Sequence, residues 1–148
     1  MYKHFLLPTD GSELSKQAVQ SALSLAKHHA ASVTAMHVLP PASEDVLAAW
    51  VHHDVHHAQR LRELFSKHAT DHLMWVKAQA KAMRVPCTCE IVESDEVHTA
   101  ILQLAAQAHC DLIFMAAHGR HGNAAQLPGS EALKVLTHSN IPVLLHKS

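Results

Sequence analysis

The chain of 148 residues is long enough for one domain with a substantial buried core. Apolar residues make up 48% and charged residues 17%, which is ordinary globular usage and excludes disordered, collagen-like and coiled-coil classes. Twelve Lys and Arg against 13 Asp and Glu give a net charge of -1. No basic excess is therefore present to hold nucleic acid or an anionic membrane, and neither is expected as a partner.

The number of cysteines and the length of the apolar runs indicate the cellular compartment of the protein. Three cysteines are too few, and odd in number, for a disulfide framework. The first residues do not resemble a signal peptide, and no apolar run reaches the roughly 20 residues that a membrane helix needs. We therefore expect one domain, residues 1–148, in the reducing cytoplasm.

The first predicted elements are a strand, a helix and a second strand. Phe5 to Leu7 form an apolar run, and Pro8 to Ser12 close it with the turn and capping residues that begin a helix. Apolar residues then recur at helical spacing as far as Ala30. Residues 32–39 form the second predicted strand, which two prolines end.

The middle of the chain predicts a long helical segment, a strand, a helix and a buried strand. Residues 43–83 contain no Gly or Pro and are rich in helix formers, with Thr70-Asp71 as the position where a break is expected. Residues 86–92 alternate like a strand, and residues 96–109 carry a helical stripe. Residues 111–117 are apolar enough for a central parallel strand.

The end of the chain completes an alternating order of strands and helices. A loop over residues 118–128 leads to a short helix, and residues 141–145 form a fifth strand. Strict alternation predicts a three-layer, doubly wound α/β fold, with a parallel sheet and helices on both faces. In such sheets, ligands bind beyond the carboxyl ends of the strands, where the strand order reverses.

Two loops are expected to meet at that edge of the sheet. Residues 8–12 follow the first strand and residues 116–130 follow the fourth, and both open onto helix N-termini. Free N–H groups and the positive end of a helix dipole suit phosphate, and Gly129 would allow close backbone approach or a positive φ beside the Ser130 hydroxyl. The same residues also fit a plainer interpretation as turns and helix caps, with Asp10 as a capping carboxylate.

Two blocks of this sequence resemble one known family. Residues 6–12, LLPTDGS, look like the opening of universal stress proteins, and residues 115–130 look like their nucleotide loop. The ATP-binding members carry G-x2-G-x9-G-[ST]. Gly119, nine further residues and Gly129-Ser130 reproduce its second part, whereas Ala116 replaces the first glycine. The resemblance covers the whole chain and implies a Rossmann-like sheet, of the adenine nucleotide alpha hydrolase type, with strand order 3-2-1-4-5.

The resemblance also implies a ligand and an assembly. The ligand is ATP or a related adenine nucleotide, bound more weakly because the Ala116 methyl group would crowd it. The Glu131 carboxylate would repel a triphosphate unless it points away or shares a divalent cation, Mg or Mn, with it. The implied role is regulatory binding in a stress response, with an unidentified regulatory protein as partner and a homodimer paired through Val143, Leu144 and Leu145. The implied nucleotide-binding residues are Pro8, Thr9, Asp10, Val38, Met115, Ala116, Gly119, Arg120, Gly129, Ser130 and Glu131.

Other patterns favour plainer interpretations. Cys87 and Cys89 share one strand face, where core packing is favoured because no second pair completes a zinc site. No catalytic motif is present, so efficient catalysis is not expected. Two alternatives stay open: an interaction protein of the same fold whose pocket Ala116 closes, and a weak ATPase or phosphotransfer enzyme. A solvated helix face is favoured over a metal site for the i, i+4 histidine pairs, which are His52 with His56 and His53 with His57.

Overall fold

The computed structural model describes residues 1–41, 55–119 and 128–148. Five parallel strands form one sheet in the order β3-β2-β1-β4-β5, so the strand order reverses between β1 and β4. The predicted doubly wound sheet and its order are therefore confirmed. The strands are β1 (His4–Pro8), β2 (Ser32–Leu39), β3 (Cys87–Glu93), β4 (Leu112–Ala116) and β5 (Val143–His146).

Helices cover both faces of the sheet. The first two pack with one core cluster and the last two with the other, which gives three layers. Within the described ranges these helices are α1 (Glu13–His29), α2 (Val55–Met83), α3 (Val97–Gln107) and α4 (Ser130–His138).

The two central strands explain why the apolar runs in this sequence are continuous. Successive side chains of a strand point to opposite faces, and here both faces are covered. In β1, Phe5 and Leu7 enter the core under α1 and α2, while Leu6 enters the core under α3 and α4. In β4, Phe114 enters the core under α1 and α2, and Ile113 enters the core under α3 and α4.

Helix α2 differs from the sequence prediction because no break occurs at Thr70-Asp71. The helix continues through this point, where Ala69 and Leu73 are buried against the sheet and fix the helical register. An i, i+4 ion pair of 2.8 Å between Lys67 and Asp71 also spans the position. Tertiary packing therefore overrides the weak helix propensity of Thr and Asp. The predicted helical residues 43–54 lie outside the described ranges.

Three of the helices end on a left-handed residue that is not glycine. Ala30 (φ 53°), Arg84 (φ 60°) and His109 (φ 54°) follow α1, α2 and α3. In each case the next N–H reaches back to a carbonyl five residues earlier, for example from Ala31 to Ala26 at 2.8 Å. This is the Schellman arrangement, in which glycine is the usual residue.

Strand β5 begins two residues later than predicted. Pro142 has no N–H for a ladder, and its carbonyl accepts instead from the N–H of Ile113 at 2.9 Å. The strand therefore starts at Val143. Among the described residues, none of the helices combines the length and the apolar character that crossing a membrane requires.

Candidate functional site

A cavity of about 540 Å³ opens at the carboxyl ends of β1, β2 and β4, where the strand order reverses. Its volume lies within the roughly 300–1,000 Å³ of small-molecule sites. Both loops that the sequence singles out reach it. Its described lining residues are Pro8, Thr9, Asp10, Ser15, Met36, His37, Val38, Val97, Ile101, Met115, Ala116, Ala117, His118, Gly119, Gly129, Ser130, Glu131 and Ala132.

Every predicted nucleotide-binding residue that the structure describes is therefore at one cavity. Arg120 belongs to residues 120–127, which lie outside the described ranges. The prediction that Arg120 contacts phosphate stays a prediction.

The loop after β1 is held in place by α2. Gly11 has a φ of 83°, a conformation that side chains rarely adopt, and a Cβ at this position would lie 2.9 Å from Nε2 of His68. The backbone N–H of Thr9 donates to the carbonyl of Met36 at 2.9 Å, which joins the loop to β2. The positive φ therefore favours glycine here, and a side chain would also displace the His68 ring.

Asp10 is a turn acceptor that faces the cavity. Its Oδ1 accepts from the N–H of Ser12 at 2.9 Å, while Ser12 itself caps α1 by accepting from the N–H of Ser15 at 3.2 Å. The capping interpretation of Asp10 is therefore wrong. Its Oδ2 lies 3.0 Å from the place that a Cβ on Gly119 would occupy, so glycine at 119 lets the two loops approach closely.

The loop after β4 is closed by backbone hydrogen bonds. Ala117 donates to the carbonyl of His146 at 2.8 Å, and Gly129 donates to the carbonyl of Ala117 at 2.7 Å. Gly129 has a φ of -65° and a ψ of 167°, so the expected positive φ is wrong. A Cβ at Gly129 would lie 3.4 Å from the Ala117 oxygen, which is ordinary contact. Glycine at position 129 therefore leaves space for a ligand beside the N-terminus of α4.

The N-terminus of α4 presents backbone N–H groups without an intrahelical acceptor to the cavity. Gly129 is the N-cap and supplies no side-chain acceptor, and the first intrahelical bond runs from the N–H of Leu133 to the Gly129 carbonyl at 3.0 Å. The N–H groups of Ser130, Glu131 and Ala132 therefore have no intrahelical acceptor, and all three residues line the cavity. Together with the helix dipole, this arrangement suits an anion.

The Ala116 methyl group leaves the cavity open. Its side chain packs in the core cluster under α1 and α2, with Phe114, whereas Met115 lies in the cluster under α3 and α4. Both residues are 8% exposed. Because the cavity keeps its volume with alanine in place, this geometry gives no support to the interpretation in which Ala116 closes the pocket.

Glu131 gives the cavity a second carboxylate. Its Oε2 is buried with no hydrogen-bond partner among the described residues, and it lies 3.8 Å from Nδ1 of His98. Its Oε1 is 3.4 Å from Nζ of Lys134. The described lining contains Asp10 and Glu131 but no lysine or arginine. The described part of the site therefore does not neutralise a polyphosphate by itself.

His72 is a functional candidate that the sequence analysis missed. The Thr9 hydroxyl and Nε2 of His72 are hydrogen-bonded at 2.7 Å, and the imidazole stacks on Trp75 with a centroid distance of 5.8 Å. Burial lowers the pKa of His72 to about 4, and His37 nearby adds to this effect. The signal was available, because His72 lies on the inward stripe of α2 with Ala69 and Val76.

The histidine pairs show no metal site within the described residues. His56 is exposed on α2, His52 and His53 fall outside the described ranges, and the side chain of His57 is not described. No group of three or more His, Cys, Asp or Glu that could hold an ion occurs in the part of the chain that the structure describes.

The parallel sheet with a ligand-sized cavity at its reversal defines a Rossmann-like α/β domain. The chain belongs to the universal stress protein family, whose sequence model, described as "Universal stress protein family", matches residues 1–147. The resemblance found in the two sequence blocks is thus confirmed.

Individual relatives agree with this assignment. The chain is 29% identical over 150 residues to "Universal stress protein MJ0531" of Methanocaldococcus jannaschii, covering 99% of this chain and 83% of the relative. The solved structure of "hypothetical protein MJ0577" is 26% identical with a TM-score of 0.81, covering 100% of this chain and 97% of that one. A "universal stress protein in complex with cAMP" is 27% identical with a TM-score of 0.73, covering 99% of both chains.

Proposed function

We propose that this protein binds an adenine nucleotide, ATP or a related molecule, as a regulatory ligand in a stress response. The observation that carries the proposal is the cavity of about 540 Å³ at the sheet reversal, into which the free N–H groups at the α4 N-terminus point. A relative of 27% identity solved with cAMP supports an adenine nucleotide as the ligand class.

The proposed pose places the base near β2 and the phosphates at α4. The backbone around Val38 meets adenine, and Asp10 meets the ribose and phosphates beside Pro8 and Thr9. Met115 and Ala116 flank the sugar. The phosphates lie against Gly119, Gly129, Ser130 and the N–H of Glu131, with Arg120 as a charge partner.

A divalent cation completes the proposed complex with ATP. Asp10 and Glu131 put two carboxylates at a cavity whose described lining holds no lysine or arginine, so a free triphosphate is repelled. Mg or Mn bound to the phosphates offsets that repulsion. A nucleotide with fewer charges, such as a cyclic monophosphate, needs the cation less.

We propose regulation rather than efficient catalysis. The sequence carries no recognised hydrolase or kinase motif, so any ATP turnover is expected to be slow. Bound nucleotide would change contacts with a regulatory protein partner, and the protein would act in the cytoplasm as a homodimer through β5. Three free cysteines agree with a reducing compartment.

Calorimetry of the full chain with ATP and MgCl₂ tests the binding proposal. We expect one site per chain with a Kd below the millimolar range. Glu131→Gln should bind ATP several-fold more tightly than wild type when Mg²⁺ is absent, because one repelling charge is gone, while adenosine affinity should not change. Glu13→Gln, an exposed carboxylate in the first turn of α1, is the matched control. Absence of adenine nucleotide binding at millimolar concentration would sink the proposal.

Two further measurements separate the alternatives. Ala116→Gly should change ATP affinity less than about threefold, because the methyl group packs into the core; a large gain would revive the closed-pocket interaction protein. Phosphate release with excess Mg²⁺ and ATP should be close to background. A turnover of about 1 per second or faster, in the ordinary range for enzymes, would favour the ATPase alternative.

A further inference from the structure

Cys87 and Cys89 form a thiol pair on the edge strand β3, away from the cavity. In the ladder with β2, Cys87 is paired with Val33 and Cys89 with Ala35, so both side chains project from the same face. That face carries the α1–α2 core cluster, against which both cysteines pack while staying partly exposed. The Sγ of Cys89 lies 3.6 Å from the Leu73 carbonyl on α2.

The two thiols differ in protonation because they are hydrogen-bonded neighbours. The hydrogen bond from Cys87, with a smaller contribution from the Lys77 ammonium on α2, outweighs burial and lowers the pKa of Cys89 to about 7. The same hydrogen bond, together with burial, raises the pKa of Cys87. The Lys77 ammonium lies close enough to act on both thiols.

The geometry of the strand disfavours both a disulfide and a structural zinc site at this cysteine pair. A disulfide needs Cβ atoms about 3.8 Å apart. Residues two apart in a regular strand are about 6.6 Å apart along the strand, and because both side chains project from the same face in the ladder with β2, their Cβ atoms are about equally far apart. A structural zinc site needs four ligands, and the described residues contain no third His, Cys, Asp or Glu placed with this pair to hold an ion.

We propose that Cys87 and Cys89 bind a soft monovalent cation of the Cu(I) class in a two-coordinate site between their sulfurs. Thiolates are the soft ligands that select Cu(I). A linear S–Cu–S unit keeps the sulfurs on opposite sides of the ion, which suits two side chains that stand side by side on a strand. Binding displaces the thiol protons and leaves one net negative charge, which the nearby Lys77 offsets.

The third cysteine supplies an internal control. Cys110 is 7% exposed and lies in the core cluster under α3 and α4, on the other face of the sheet. It cannot reach an ion held by Cys87 and Cys89. Cys110→Ser should therefore keep the site, whereas Cys87→Ser and Cys89→Ser should each remove one of its two ligands.

Anaerobic titration of the reduced full chain with Cu(I), buffered by bicinchoninate, tests the site. We expect one equivalent bound with a thiolate-to-Cu(I) charge-transfer band in the ultraviolet, which the 16 histidines cannot produce. Cys87→Ser and Cys89→Ser should each weaken that binding at least tenfold, and Cys110→Ser should match wild type. A band that survives in both serine variants, or that disappears in Cys110→Ser, would overturn the site.

A measurement on the wild type keeps the test decisive if the serine variants fail to fold. One equivalent of Cu(I) should protect both Cys87 and Cys89 from alkylation by iodoacetamide, as read by peptide mass spectrometry. Unchanged alkylation rates at these two positions would contradict the proposal.

Discussion

The hydrogen bond between Thr9 and His72 joins the cavity to the longest described helix. His72 is only 6% exposed, and its ring is held between the Thr9 hydroxyl and Trp75. The charged groups around it, besides His37, are Asp10 on the β1 loop, His68 on α2 and Lys16 on α1. The neutral imidazole is therefore the form that the folded protein accepts.

This burial predicts a specific loss of stability in acid. The pKa of His72 is about 4 in the folded protein against 6.5 when unperturbed, so its contribution is fully present above pH 6.5 and is lost as the pH falls towards 4. Linkage gives roughly 2 kcal/mol after allowance for partial solvent screening. Urea unfolding between pH 7.5 and 4.5 should show a shallower decline in His72→Gln than in wild type.

The matched control for this experiment is His56→Gln, an exposed position on the same helix. Its unfolding free energy should follow the wild-type pH profile. Equal acid losses in wild type and His72→Gln would show that other groups cause the decline.

At the scale of elements, β5 is an edge strand that carries apolar residues. It pairs with β4 on one side only. Val143 and Leu145 pack against the protein's own core under α3 and α4, while Leu144 on the other face is 37% exposed. An open edge of this kind invites pairing with another chain. A two-fold partner that adds its own β5 would cover the edge and leave no open strand.

Sedimentation tests this homodimer. We expect the wild type to be a dimer at tens of micromolar and Leu144→Lys to shift towards monomer, because an ammonium at the seam lacks a partner. Leu144 is the informative position, since Lys at Val143 or Leu145 would also disrupt the core. Leu64→Lys, on α2 at a residue that is 60% exposed, should stay dimeric. A monomeric wild type at high micromolar concentration would contradict the proposal.

A helix or strand could be predicted where the residue periodicity of its own segment determines its structure. The buried run of β4 and the α1 stripe after Ser12 depend on local periodicity, and both form as predicted. The continuity of α2 through Thr70 depends on contacts with the sheet, which a local pattern does not contain. The two sequence blocks indicated the cavity loops, whereas Met36 lines the cavity from β2 and His72 contacts Thr9 from α2, neither of which a local pattern shows.

At the scale of the whole molecule, the charge balance is close to neutral and is controlled by histidine. The net charge of -1 counts all 16 histidines as neutral. Because histidines gain protons as the pH falls, the net charge passes through zero near pH 7.0, the isoelectric point of the sequence, and is positive below it.

This balance predicts a solubility minimum near pH 7. Colloidal repulsion is weakest where the net charge vanishes. Precipitation by polyethylene glycol should require the least polymer near that pH and clearly more at pH 6. The same sample at pH 8 is the control. A solubility that changes monotonically from pH 8 to pH 6 would contradict the prediction.

The left-handed residues after α1, α2 and α3 lie at the end of the sheet opposite the cavity. Ala30, Arg84 and His109 all precede strands, so they lie at the amino ends of the sheet, whereas the cavity lies at the carboxyl ends. A left-handed conformation costs a non-glycine residue roughly 1 kcal/mol. This cost of left-handed backbone therefore lies at the end of the sheet opposite the cavity. Glycine at these three positions should raise the melting temperature without changing the cavity. Stability and ligand binding are therefore set at opposite ends of the sheet.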